Sequence, residues 1–145
     1  MSWSMWHVYG KGFKVDSLDG EKLLEFMENH KESLDDGYKQ MLEDLKLTEY
    51  PIDLDEDVRQ YTDFCTVSEI IAYVMRRETK IGFEHCGISD DNEDAVIFCA
   101  CYPWQMNDAE RELTSEKLKE ISLKYMKELD IPESEYDYLD FVFSG

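Results

Sequence analysis

The chain has 145 residues, 43% hydrophobic and 13% aromatic, which is the make-up of one folded domain covering 1–145 and not of a disordered segment. Thirty-four acidic residues face 15 basic ones, a net charge of −19 that opposes direct binding of nucleic acid or an anionic membrane and favours basic partners. No apolar run approaches the ~18 residues of a membrane span, "MSWSMWHVYG" lacks the layout of a signal peptide, and four cysteines without an export signal read as reduced thiols in a cytoplasm.

Residues 3–15, "WSMWHVYGKGFKV", are aromatic and β-branched and predict a strand, with Gly10 and Gly12 expected at a bulge or at its end. Asp19 suits an N-cap, and Leu23, Leu24 and Met27 predict a short helix ending near His30. Leu34, Tyr38, Met41, Leu42 and Leu45 form one apolar stripe and predict a second helix over 33–47, weakened but not excluded by Gly37. Residues 48–65 have no period and read as an acidic loop. Thr66 and Glu69 fit a capping box for a third helix carrying Ile70, Ile71, Val74 and Met75, with Arg76 and Arg77 at its negative end.

"KIGFEHCGI" (80–88) and "AVIFCACY" (95–102) predict a hairpin, its second strand apolar on both faces and therefore central. Pro103, which has no N–H, stops strand pairing, and Trp104 covers the end of the core. Thr114 caps a helix to Leu129 with the stripe Leu118, Ile121, Tyr125 and Leu129, and Pro132 follows it. "EYDYLDFVF" (135–143) predicts a last strand. The expected class is α+β: a four-stranded antiparallel sheet with helices on one face, in the ferredoxin-like βαββαβ order with an elaborated first crossover.

No constellation names a chemistry. Cys99 and Cys101 share one face of a strand, with Cys86 on its partner and Cys65 ahead of the third helix. Zinc sites favour C-x2-C knuckles on turns, so these four read as core residues and no metal or cofactor is expected. Asp90, Asn92 and Asp94 copy the start of a calcium loop but place Ala95 and Cys101 where Gly and Glu belong; Asp53, Asp55 and Asp57 fail in the same way at Val58 and Phe64. His7 and His85 lie in predicted strands and His30 at a helix end; with no nearby Ser or Cys of known geometry, they specify no triad.

Charge placement is more informative. Residues 16–63 hold 16 acids and 5 bases, and residues 130–140 hold 5 acids and no base. In the helix 114–129, by contrast, Lys117, Lys119, Lys124 and Lys127 balance Glu116, Glu120 and Glu128. An uneven field of this kind suits a docking surface, and equally a solvated face.

"CYPWQMNDAERELTSEKLKEISLKYMKEL" with "YDYLDF", and the opening "SMWHVYGKGFKVD" with its Tyr-Gly-x-Gly-Phe run, resemble an uncharacterised family of small acidic bacterial proteins from mobile-element and prophage-like regions. The resemblance carries no catalytic residues. Charge and resemblance together lead to a non-enzymatic binding module that blocks a basic nucleic-acid-binding protein, its target a host defence nuclease such as a CRISPR effector. The residues expected to dock are Asp53, Asp55, Glu56 and Asp57, supported by Asp35 and Asp36, with Trp3 or Trp6 as an aromatic anchor. The alternatives are an antitoxin or immunity protein against a cationic toxin and, last, a small metal-dependent enzyme. Either a monomer or a homodimer fits the sequence.

Overall fold

The structure is a computed structural model. It describes residues 5–15, 18–48, 52, 67–88, 93–98 and 106–144. The strands are β1 (Met5–Lys14), β2 (Glu84–Ile88), β3 (Glu93–Phe98) and β4 (Tyr136–Ser144). The helices are α1 (Gly20–Asn29), α2 (Asp36–Lys46), α3 (Val67–Thr79), α4 (Asp108–Arg111) and α5 (Ser115–Glu128). The strands form one antiparallel sheet in the order β2-β3-β1-β4, so β3 is interior, as its two apolar faces require.

β1 organises the sheet. It pairs with β4 from Met5 opposite Ser144 to Phe13 opposite Tyr136, and with β3 from Lys11 opposite Phe98 to Lys14 opposite Ala95. Both ladders are unbroken, so Gly10 and Gly12 lie within the strand and mark neither a bulge nor its end. Gly12 is needed for a different reason: a Cβ there would stand 1.9 Å from the Val96 carbonyl oxygen and 2.7 Å from Ile97 Cα. The backbones of β1 and β3 approach too closely for any side chain.

Local signals set the helix ends. The Asp19 carboxylate accepts from Glu21 N at 3.0 Å, Asp35 from Tyr38 N at 2.8 Å, and the Thr114 hydroxyl from Lys117 N at 3.1 Å. Because Asp35 is the cap, α2 begins at Asp36, and Lys31–Ser33 form a separate 3-10 turn. α5 ends in a Schellman motif: Asp130 takes φ 58°, its N–H bonds Lys127 O, and Ile131 N–H bonds Met126 O at 2.8 Å.

α4 has no counterpart in the expected elements. Asn107 and Glu110 form its capping box, and both also hold the turn after α3. Asn107 Nδ2 donates to Lys80 O at 2.6 Å, and Glu110 Oε2 accepts from Gly82 N at 3.0 Å. Arg76, placed at the end of α3 by its charge, donates from Nη1 to Phe83 O at 2.8 Å. Residues 80–83 are thus tied as a connection, and the strand expected from Lys80 begins at Glu84.

One continuous core joins sheet and helices. Phe13, Val96 and Phe98 meet Leu23, Phe26 and Met27 of α1, Met41 and Leu42 of α2, Ile70, Ile71 and Met75 of α3, and Leu118, Tyr125 and Met126 of α5. Each fully buried side chain of this size contributes roughly 1.5–3 kcal/mol. Ala95 and Ile97, alternating with Val96 and Phe98, are also fully buried, so β3 is enclosed on both faces. The α5 stripe buries Leu118, Tyr125 and Leu129 as expected and adds Ser122 and Met126, while Ile121 is half-buried. Among the described residues no helix is long and apolar enough to cross a membrane.

Two glycines give opposite expectations. Gly12→Ala should cost about 3 kcal/mol or more by forcing β1 from β3. Gly37→Ala, on the exposed side of α2 where a Cβ meets only Asp35 Oδ1 at 3.5 Å, should gain about 0.5–1 kcal/mol. Denaturant unfolding of both variants checks the pair; equal effects would contradict the close approach of β1 and β3.

Candidate functional site

Asp53, Asp55, Glu56, Asp57 and Trp3 lie outside the described residues, as do Cys65, Cys99, Cys101, Pro103 and Trp104. Trp6 is described by its backbone alone, in β1 opposite Phe143. Asp36 is exposed at the start of α2, whereas the Asp35 carboxylate is engaged as that helix's cap. Cys86 pairs with Ala95, and Asp94 pairs with Gly87 in the sheet ladder, while Asp90 and Asn92 lie outside the described residues. His7 and His85 are on β1 and β2, with β3 between those strands, so the sheet does not make them neighbours.

The exposed acids fall into an ordered row. Glu21, Glu25 and Glu28 on α1, followed by Glu32 in the 3-10 turn, are all exposed, while Leu23, Phe26 and Met27 bury the opposite face of α1. Spacings of three and four residues keep side chains on one helix face, ~4.5–6 Å apart along the axis. Lysines cross-link part of this surface: Lys46 bonds Glu28 and reaches Glu43 at 3.4 Å, and Lys31 reaches Glu43 at 3.2 Å. The hydrogen bond from Lys31, with the nearby charge of Lys46, holds the Glu43 carboxyl below its ordinary value. These pairs join α1 to α2 and leave Glu21, Glu32 and Asp36 without a basic side chain in range among the described residues.

Beneath one end of that row is a cluster built from residues far apart in the chain. His30, the C-cap of α1, presents Nδ1 to Glu78 Oε2 of α3 at 2.7 Å and Nε2 to both Glu128 oxygens of α5 at 2.8 and 2.9 Å. Glu78 also accepts from Ser33 Oγ and from Tyr125 OH, each at 2.8 Å, and Asn29 Nδ2 donates to Glu128 at 3.4 Å. The His30 ring lies 4.5 Å from the Phe26 ring and 5.9 Å from the Tyr125 ring, with its side chain only 16% exposed.

Burial disfavours the charged imidazole, but hydrogen bonds to Glu128 and Glu78, with their charges, outweigh it and raise the His30 pKa above its ordinary 6.5. Burial likewise works against the Glu78 carboxylate, but hydrogen bonds from His30, Ser33 and Tyr125 prevail and lower its pKa below 4.5. Burial and the bond to Glu78 push the Tyr125 phenol well above its usual value. The arrangement stores a proton between two carboxylates and joins three helices. Its polar atoms are occupied by one another, and among the described residues no three His, Cys, Asp or Glu side chains converge to hold a metal ion. A separate surface groove of about 340 Å³ at the end of α5 has Met126 and Ile131 in its lining, with Lys127, Asp130 and Glu133.

Sequence reasoning noted His30 only as a helix end. Its partners lie 48 and 98 residues away, and no local spacing could have paired them. No family model, curated protein or solved structure matches this chain.

The cluster sets a pH window. With its folded pKa raised, His30 contributes fully below ~6.5, and that contribution is lost as pH rises through the folded value. Glu78, with its pKa lowered, contributes above ~4.5 and loses that contribution as pH falls through its folded value. The stability difference between wild type and His30→Ala should therefore peak between about pH 5 and 6.5, at about 1.5–3 kcal/mol, and shrink on either side. Unfolding curves across pH check it; a difference that grows toward alkaline pH would reverse the assigned charge state.

Proposed function

We propose that this chain is a non-enzymatic acidic module that docks on a basic nucleic-acid-binding protein and blocks it by occupying the surface meant for a phosphate backbone. The observation that carries this reading is the exposed row Glu21, Glu25, Glu28 and Glu32, three of its members on a helix whose other face is locked into the core. Carboxylates held on a packed helix form a line of fixed negative charge, and a phosphate strand, with one charge per ~3.4 Å of axis, is another. A partner's Lys and Arg would engage either.

Continuity with the acid run supports the same reading. Gly20, at the head of the row, lies so close to Ile52 that a Cβ would stand 2.3 Å from the Ile52 carbonyl oxygen. Ile52 directly precedes Asp53, Asp55, Glu56 and Asp57 in sequence. Asp36 extends the acidic surface onto α2, and Trp3 or Trp6 would supply an aromatic anchor. The strand order β2-β3-β1-β4 favours a ferredoxin-like βαββαβ domain in which α1 to α3 elaborate the first crossover and the helices share one face. The resemblance to a mobile-element family makes a host defence nuclease the natural target, met in the cytoplasm, with neither cofactor nor membrane required.

The test is capture from host lysate by the immobilised chain at ~0.1 M and ~1 M salt, where the Debye length falls from ~10 to ~3 Å. Basic nucleic-acid-binding proteins should be retained at low salt and released at high salt, and they should lose DNA or RNA binding when the module is added. Reversing Glu21, Glu25 and Glu32 to Lys should slow association at least ~10-fold with melting temperature preserved. Capture indifferent to salt, or native association by the reversed variant, would remove the phosphate-mimic reading.

A further inference from the structure

A neutral imidazole has one N–H, yet His30 faces a carboxylate from each ring nitrogen. Only the imidazolium donates to both. When the proton leaves, one carboxylate must face a nitrogen lone pair, and the two are not equally dependent on His30. Glu78 retains two close donors, Ser33 Oγ and Tyr125 OH, each at 2.8 Å. Glu128 retains Asn29 Nδ2 at 3.4 Å. The neutral tautomer that leaves fewer carboxylate oxygens without donors keeps its proton on Nε2 for Glu128 and turns the Nδ1 lone pair on Glu78.

The carboxylates belong to different helices. Glu78 closes the last turn of α3, Glu128 ends α5, and His30 caps α1. Losing one proton therefore acts on one helix contact and spares the other.

We propose that His30 is a proton-operated clasp: as the imidazolium it ties the end of α1 to both α3 and α5, and on deprotonation it lets go of α3 while holding α5. The part loosened is the 3-10 turn Lys31–Ser33, which connects α1 to α2 and is then held to Glu78 by Ser33 Oγ without the His30 bond beside it. The groups facing the ring are Glu78 from α3, Glu128 and Tyr125 from α5, and Asn29 and Ser33 from its own segment. Lys31 is turned to Glu43, and Lys124 lies 5.8 Å from the centre of the Tyr125 ring. Glu78 is held below its ordinary ionisation and Tyr125 above its own, so among these three it is the imidazole whose charge changes in the range between. The clasp does not depend on the docking reading, since it needs no partner.

The experiment is ¹⁵N NMR of the intact chain through the His30 titration, with amide hydrogen exchange on both sides of its midpoint. Below it, both ring nitrogens should be protonated. Above it, the Nε2–H tautomer should appear, and amides at 31–34 should exchange at least ~10-fold faster relative to those at 125–129 once the intrinsic pH effect is removed. An Nδ1–H tautomer, or equal loosening of the 31–34 and 125–129 segments, would overturn the proposal. Glu78→Gln supplies the control. With its amide N–H₂ in the place of Oε2, it can donate to the neutral Nδ1 and to Ser33 Oγ while its oxygen accepts from Tyr125, so protection at 31–34 should persist above the midpoint. Undiminished opening in that variant also rejects the clasp.

Discussion

Self-repulsion is the constraint under which this chain folds. With a net charge of −19, compaction on balance brings like charges together, and the apolar core, the hydrogen-bonded sheet and a few cations oppose it. Three of the described cations are used at joints. Lys46 and Lys31 connect α1 and its following turn to Glu43 of α2, and Arg76 ties the end of α3 to the Phe83 carbonyl ahead of β2. His30 connects three helices at once. In a field this negative, a proton held between two carboxylates is a stabilising charge that no exposed lysine replaces, because the ring is largely shielded from water.

The same arrangement separates the roles of the acids. Glu78 and Glu128 are turned inward and satisfied by neighbouring donors, and so belong to the architecture. Glu21 and Glu25 are turned outward on a helix whose buried face fixes their position, which is what a charged docking surface requires. Precision in such a surface comes from the apolar side of α1. Leu23, Phe26 and Met27 hold the helix against the sheet layer, and the carboxylates inherit its geometry. The clasp at His30 sits at the end of this helix and joins the acidic layer to α3 and α5.

Much of this organisation was legible from local chemistry. Asp19 and Thr114 announced two helix starts because a capping carboxylate or hydroxyl satisfies N–H groups two or three residues ahead. The apolar stripe from Leu34 to Leu45 announced α2, and the two-faced apolar run at 95–98 announced an interior strand. The errors came where neighbours in space overrode neighbours in sequence. Gly10 and Gly12 suggested a break, yet Gly12 is there because another strand's backbone passes where its side chain would be. "NDAER" showed no apolar period, yet it forms α4 because Asn107 and Glu110 are bonded to residues 80–82.

By itself, then, the sequence determined the α+β class, most element positions, the Asp19 and Thr114 caps and the acidic balance, since each depends on contacts within a few residues or on totals. The pairing of β2 with β3 was expected as a hairpin, but the tertiary structure alone decided the register of the strands, which acids face water, and that His30 stands between Glu78 and Glu128. The physical reason is that a 2.8 Å hydrogen bond depends on distance in space, whereas pattern and propensity report only distance along the chain. Among 34 acids, only folding selects the two that share a proton with His30.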